Sequence, residues 1–229
     1  MTPLEAVDQI EQRVFDLTNE QRRRHGLHPL DHDGHLSAAA RGHSEDMLRR
    51  GFFDHVNPDN ETPADRVARI HRWFIGSTGE NIWMRSRDAA SQLSGLAEEA
   101  VASWMVSPAH RENMLRPTYT HLGVGAAAVA SDVRLTQVLA DTEGLTDSPV
   151  PALVTHGESL RFVVRALTHG VTCNTFELWR SGTGLRVLGP LPTSGGRIEA
   201  TPGLYTLRFR FRGPGGRITI YPGPQIEVR

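Results

Sequence analysis

The sequence predicts an α+β chain in which helices pack around a small sheet, followed by a small all-β region. Three observations predict this class. Apolar residues recur at three- and four-residue spacing up to about residue 115, and from Leu122 small and β-branched runs replace them. Beyond residue 150 no helical period survives, and Gly and Pro interrupt short alternating runs. At 229 residues the chain suits one main domain plus a smaller one. The expected division is a first domain over 1–145, a linker over 146–152 and a second domain over 153–229.

Taken in order, Leu4, Val7, Ile10, Val14 and Leu17 form the apolar stripe of a first helix that stops near His25-Gly26. Leu36, Ala40, His43 and Met47 form the second, with His43 facing the core. It ends at Arg49-Arg50-Gly51, where basic residues and glycine suit a C-terminus. Thr62-Pro63-Ala64-Asp65 starts a third, and a fourth is expected from about Asp88 to Met105. Ser107-Pro108 then reads as the capped start of a short helix, with the serine hydroxyl on free backbone N–H groups and proline at the first helical position. Leu122–Ala130 and Val133–Leu139 read as a hairpin, and Glu80–Trp83 as a third strand, reached through tight turns at Gly76 and Gly79. Glu143–Pro151 has the turn residues of a linker. After it, Leu160–Arg165, Thr175–Trp179, Tyr205–Phe211, Arg217–Tyr221 and Gln225–Val228 give the texture of a β-sandwich of immunoglobulin-like type. The run Tyr205–Phe211 places Tyr205, Leu207, Phe209 and Phe211 on one face and Arg208 and Arg210, continued by Arg212, on the other.

The formal net charge of −1 hides a division. Residues 1–149 hold 15 Arg against 22 Asp and Glu, and residues 150–229 hold 10 Arg against 4 acids. The acidic first part and basic second part could contact each other, or the basic one could meet an anionic surface. No recognised nucleic-acid motif accompanies the arginines, so no nucleic acid is expected. All 25 basic residues are arginine, which excludes lysine Schiff-base and general-base chemistry. The single Cys173 excludes an intramolecular disulfide and a thiolate zinc cluster. No apolar run is long enough to span a bilayer, and MTPLEAVDQIEQR is unlike a secretory signal. A cytosolic protein and the mature part of a longer precursor are both compatible with that.

Nine of the eleven histidines precede residue 122. His25, His28, His32 and His35 crowd one loop with no fixed geometry for metal ligands, and it reads as an exposed turn carried by Leu27, Leu30 and Leu36. The segment FFDHVNPDNETP differs, because Phe52-Phe53 would anchor His55 beside apolar side chains. Glu80 stands just before Ile82 and Trp83, and a carboxylate so close to core residues needs a cation, a protonated histidine or hydrogen-bond donors. His55 and His110 are its leading candidate partners. His110 would occupy the third position of the short helix, where the dipole favours the neutral imidazole.

Seven fragments in one order carry a family resemblance: Leu17-Thr-Asn-Glu-Gln-Arg22, Ala39-Ala-Arg-Gly-His-Ser-Glu-Asp-Met47, Phe53-Asp-His55, Gly79-Glu-Asn-Ile82, Trp104-Met-Val-Ser-Pro-Ala-His-Arg-Glu-Asn-Met-Leu115, Tyr119-Thr-His-Leu-Gly-Val-Gly125 and Thr136-Gln-Val138. The chain resembles the CAP superfamily of cysteine-rich secretory proteins, venom allergens and plant pathogenesis-related proteins, in its bacterial disulfide-free branch. The resemblance covers residues 10–140. It implies a three-layer α-β-α sandwich with a central cavity, often lined by two histidines and two acids that in some members hold zinc or another divalent ion. Carried over by motif, these are His55, Glu80 and His110, while the second acid has no match near Ser107. Two histidines and one carboxylate can still make a three-ligand site completed by water. Asn81, Arg111 and Asn113 would orient these groups or join neighbouring segments through hydrogen bonds.

The resemblance implies a secreted or envelope-associated protein. Its cavity would bind a small ligand, a lipid, a peptide or a cell-wall polymer, with the β-domain helping to place it. The alternative is a hydrolase of peptidase or cell-wall type, either metal-dependent with Glu80 as base or built on Ser107 and a nearby histidine. The trio can also be read as a polar network fastening helices to the sheet.

Overall fold

The computed structural model describes residues 3–86, 95–129 and 132–229. They form two compact units, Met1–Arg66 with Thr78–Asp141 and Val67–Ser77 with Thr142–Arg229.

The first unit opens with helix α1 (Pro3–Arg24), whose Ile10, Val14 and Leu17 are buried. Strand β1 (Asp31–His32) leads into α2 (Gly34–Arg50). Asp33 caps α2 by accepting from the N–H groups of His35 and Leu36, and Gly51 closes it in the left-handed conformation at φ 69°. Helix α3 (Pro63–Ile70) begins on a reciprocal cap. Thr62 Oγ1 accepts from the Asp65 N–H at 3.3 Å, and Asp65 Oδ2 accepts from the Thr62 N–H at 3.0 Å. Strand β2 (Phe74–Arg85) is longer than the run expected from Glu80. Gly76 and Gly79 lie inside it rather than in turns. Gly79 instead permits close packing, since a Cβ there would stand 2.3 Å from the Tyr119 hydroxyl oxygen.

Helix α4 (Leu96–Val106) follows, and the first part of the expected helix, Asp88–Ser94, lies outside the described residues. Helix α5 (Pro108–Met114) does have proline at its start, but the Ser107 side chain makes no capping hydrogen bond. The serine is shared between two helices: its N–H donates to the Trp104 carbonyl to end α4, and its carbonyl accepts from Arg111 N–H to begin α5. Strands β3 (His121–Val129) and β4 (Asp132–Thr146) form the expected hairpin. β4 runs four residues into the stretch read as linker from Glu143.

The strand order β1-β3-β4-β2 puts β3 between the short β1 and the long β4. One face of β3, with Leu122, Val124 and Ala126, joins a core made by α1, α4 and α5 around Trp104. Its other face carries Gly123 and Gly125 and lies directly against the backbone of α2. These are the three layers, helices on both faces of one sheet.

The second unit contains β5 (Leu153–Val154), β6 (Ser159–Leu160), β7 (Val164–Ala166), β8 (Thr172–Arg180), β9 (Leu185–Pro192), β10 (Gly196–Arg197), β11 (Gly203–Arg212) and β12 (Ile218–Val228). Five of them pair in the order β5-β12-β11-β8-β9, β6 and β10 form a two-stranded ribbon, and β7 pairs with Gly144–Thr146 of β4. Register shifts in β11 and β8 bend the main sheet, so the result is one curled sheet rather than two matched sheets of an immunoglobulin-like sandwich. Its core is the expected face of β11: Tyr205, Leu207 and Phe209 are 0% exposed, and Phe209 meets Phe162 and Phe176 in an aromatic cluster. Cys173 is buried, which pushes its thiol up to about 11 and suits a packing role rather than nucleophilic chemistry.

Candidate functional site

The site lies in the first unit and is organised by Glu80, whose side chain is 2% exposed. β2 delivers the carboxylate into the interior, where three side chains meet it. His55 Nδ1 lies 2.9 Å from Oε1, Arg66 donates to Oε2 at 2.7 Å, and His43 Nε2 stands 3.8 Å from Oε1. His43 comes from α2, His55 from the loop after it and Arg66 from α3. The guanidinium also donates to the carbonyls of His55 and Glu61, so one side chain holds both the carboxylate and the loop that carries the histidine. In that loop Asn57 Oδ1 accepts from the N–H groups of Asp59 and Glu61. His55 is thus placed by polar contacts. The expected aromatic anchor is only partial, since Phe52 is half-buried beside His43 while Phe53 is 40% exposed.

Sequence reasoning does not bring Arg66 or His43 to this site. A signal for Arg66 is nonetheless present: it follows the capped start at Thr62 and precedes the inward-facing Val67, and a buried carboxylate demands a cation.

His110, on α5, makes no side-chain hydrogen bond or ion pair with His55 or Glu80 among the described residues, and the charge of His55 reaches it only as a secondary influence on its titration. Asn81 and Asn113 join neighbouring segments. Asn113 Nδ2 donates to the Glu80 carbonyl at 3.2 Å and to Asn81 Oδ1 at 3.1 Å. Asn81 Nδ2 donates to the His110 carbonyl at 3.2 Å and to Gln137 Oε1 at 2.9 Å, and Gln137 in turn donates to Thr18 Oγ1 at 2.8 Å. This chain of amides ties α1, β2, β4 and α5 together. Arg111 stands apart, exposed, with its guanidinium 3.0 Å from His25 Nε2. Arg22 fixes α5 instead, donating to the carbonyls of Met114 and Arg116 at 2.8 and 3.0 Å.

The three imidazoles differ in charge tendency. The hydrogen bond to Glu80 raises the pKa of His55 despite partial burial. Burial lowers that of His43, and burial followed by the nearness of His55 lowers that of His110, so desolvation rather than a helix dipole favours its neutral form. A raised histidine stabilises the fold fully below its unfolded value of about 6.5 and loses this contribution as pH rises through the folded value. The stability difference between wild type and His55→Ala, measured by urea denaturation, is therefore expected to be larger near about pH 5.5 than near about pH 9. For His43 and His110 the sign is opposite: their contribution is present above about 6.5 and lost as pH falls.

The donors do not fit a divalent cation in this arrangement. Both carboxylate oxygens face nitrogen donors, one of them a guanidinium that cannot surrender its charge, and among the described residues no group of three or more His, Cys, Asp or Glu is placed to hold a metal ion. Nor does the Ser107 hydroxyl hydrogen-bond to a histidine among the described residues. What the site offers outward is His55 itself. Its side chain is 44% exposed, Nδ1 is held by Glu80, and Nε2 takes no hydrogen bond among the described residues. Phe53 and Val56, each 40% exposed, flank it in sequence.

Comparison with known proteins agrees with this architecture. Residues 15–139, more than half of the chain, match the sequence model of the cysteine-rich secretory protein family, CAP. The uncharacterized protein YkwD of Bacillus subtilis is 39% identical over 120 residues, 52% of this chain and 43% of its own. The uncharacterized membrane protein YlbC of the same organism is 40% identical over 115 residues, 50% of this chain and 31% of its own. The chain thus spans less than half the length of either relative. A crystal structure of an extracellular protein containing a SCP domain from Bacillus anthracis superposes with a TM-score of 0.50 at 35% identity, covering 61% of this chain and 44% of that one. The fragments that carry the site fall inside the matched range, and the chain belongs to the CAP family of cysteine-rich secretory proteins.

Proposed function

We propose that the protein is an extracellular or envelope-associated binding module, in which the CAP domain recognises a ligand at the His55 surface without catalysing its conversion. The observation that carries this reading is the state of His55: one ring nitrogen fixed by Glu80, the other presented to solvent. Glu80 favours the charged imidazolium, so Nε2–H is a donor for a carbonyl, a carboxylate or a sugar hydroxyl, and Phe53 and Val56 supply apolar contact nearby. Glu80 is poorly placed as a general base, since Arg66 and His55 stabilise its ionised form and occupy both oxygens. An extracellular setting is supported by the likeness to the B. anthracis SCP-domain protein.

The test is an NMR titration of the His55 ring signal with three probes: soluble peptidoglycan fragments, an unstructured peptide mixture and phosphatidylglycerol vesicles. One of them is expected to move the signal and to bind His55→Ala at least about tenfold more weakly, the scale of one lost charge-assisted hydrogen bond. If none moves it, the binding reading fails.

The same reading holds that recognition needs no metal. A structural site saturated a hundredfold above its Kd would add about 2.7 kcal/mol to stability. Zinc is expected to leave the Tm of both wild type and His55→Ala unchanged in differential scanning calorimetry.

A further inference from the structure

The outer face of the curled sheet in the second unit is not the plain solvated surface that alternation along β11 suggests. Glu177, on β8, points to that face and yet is 1% exposed. It is covered by donors: Trp179 Nε1 at 2.9 Å, Arg210 at 2.6 Å and Arg186 at 3.4 Å. A carboxylate so desolvated is retained at a cost unless its partners are held in good geometry, and here it fixes two guanidinium groups from β9 and β11. Arg208 is fixed differently. Its guanidinium carbon lies 4.1 Å from the centre of the Trp179 ring, a cation–π contact.

Arg208 sits opposite Glu177 in the strand register, but it makes no hydrogen bond or ion pair with a side chain among the described residues. Its Nε is buried with no hydrogen-bond partner. Three positive groups therefore surround one negative group, and one of the three stands over the Trp179 ring without a side-chain ion pair among the described residues. The charge that Arg208 adds to this face is not matched by a carboxylate of its own, and a guanidinium in that state suits the oxygens of a phosphodiester.

We propose that this face, built on Arg186, Arg208 and Arg210 around Glu177 and Trp179, binds a polyol-phosphate polymer, a chain of phosphodiesters without bases. Arg208 and Arg210 are two residues apart on one strand, about 6.8 Å, so a linear polyanion can present successive phosphates to them. A single-stranded nucleic acid fits less well, because Arg208 occupies a face of the aromatic ring on which a base would stack. A bilayer is the competing occupant, because Ile218 and Ile220 on β12 are 41% and 39% exposed beside these arginines, and the vesicle arm of the experiment tests it. This site belongs to the second unit and shares no residue with the His55 surface, so its success or failure leaves that reading untouched.

The experiment measures binding of lipid-free polyglycerol phosphate to the full chain at several salt concentrations, with single-stranded DNA of equal charge and phosphatidylglycerol vesicles as competitors. Arg208→Ala is expected to weaken binding about tenfold or more and to reduce the salt slope by about one counterion. Arg208→Lys, which keeps the charge but loses the fork, is expected to recover part of the affinity and none of the preference over DNA. Arg217→Ala, at an exposed position, serves as a charge-matched control and is expected to have little effect. No binding at low salt would overturn the proposal. Equal weakening by Arg208→Ala and Arg217→Ala, or tighter binding of DNA or vesicles than of the polymer, would overturn it as well.

Discussion

Glu80→Ala is expected to destabilise the protein by about 3–5 kcal/mol, measured as a fall in the urea midpoint. The reason is the arginine left behind. The side chain of Arg66 is 5% exposed and shares the interior with a carboxylate at 2.7 Å, so removing the carboxylate strands a full positive charge where water cannot reach it. The loop carrying His55 should loosen with it, since the same guanidinium binds the His55 carbonyl. Replacing both partners with apolar residues, Arg66→Met together with Glu80→Leu, is expected to recover much of the loss, because no unpaired charge then remains. A single-mutant cost below about 1 kcal/mol would mean that water already solvates the pair, contrary to its burial.

The second large effect concerns no polar group. A Cβ on Gly125 would stand 1.9 Å from the Arg41 nitrogen and 2.3 Å from the Ala40 carbonyl carbon, both backbone atoms of α2. No rotamer change relieves such a clash, so the helix must move off the sheet. Gly125→Ala is expected to cost about 3 kcal/mol or more, at or beyond the upper end of overpacking. Gly42→Ala is the control. That glycine is on the exposed side of the same helix, a methyl added there would meet nothing within 4 Å, and the change should stabilise by about 0.5–1 kcal/mol through helix propensity alone. Chemical denaturation of the two variants side by side separates the contact from the propensity.

These two positions show what is legible in the sequence and what is not. The helices, the hairpin and the inward face of β11 follow from periodicity, which reports directly on which side of an element is buried. His55 and Glu80 come together as a pair because the motif fragments and the cost of a buried carboxylate point to the same two residues. Arg66 escapes because arginine in a helix next to a loop is ordinarily a solvated residue, and only the tertiary approach of β2 makes it an ion-pair partner. The role of Ser107 is misread for a related reason: a serine before proline suits a cap, but adjacency to the end of α4 gives its backbone another task.

In the second unit, β9 is hidden because Gly182, Gly184 and the Gly189-Pro190 pair break any alternation there. Two expected strands prove to be one, β12, which passes through Pro222-Gly223-Pro224. Strand β12 pairs with β5 only at Glu227 and Val228, which leaves its outer edge near the prolines without a ladder partner among the described residues. The intervening Gly223 accommodates the Phe209 ring, which would lie 2.7 Å from a Cβ.

The polypeptide visits the second unit early, at Val67–Ser77, before returning to it for good at Thr142. Ile75, fully buried, belongs to the same apolar cluster as Phe176 and Phe209, a hundred or so positions further on. The stretch shared with bacterial relatives, residues 15–139, therefore includes material that packs into the other body. Gene fragments joined or trimmed at a single point near residue 145 would carry that excursion away from its destination, so shuffling these modules between proteins demands two compatible seams in space rather than one in the reading frame.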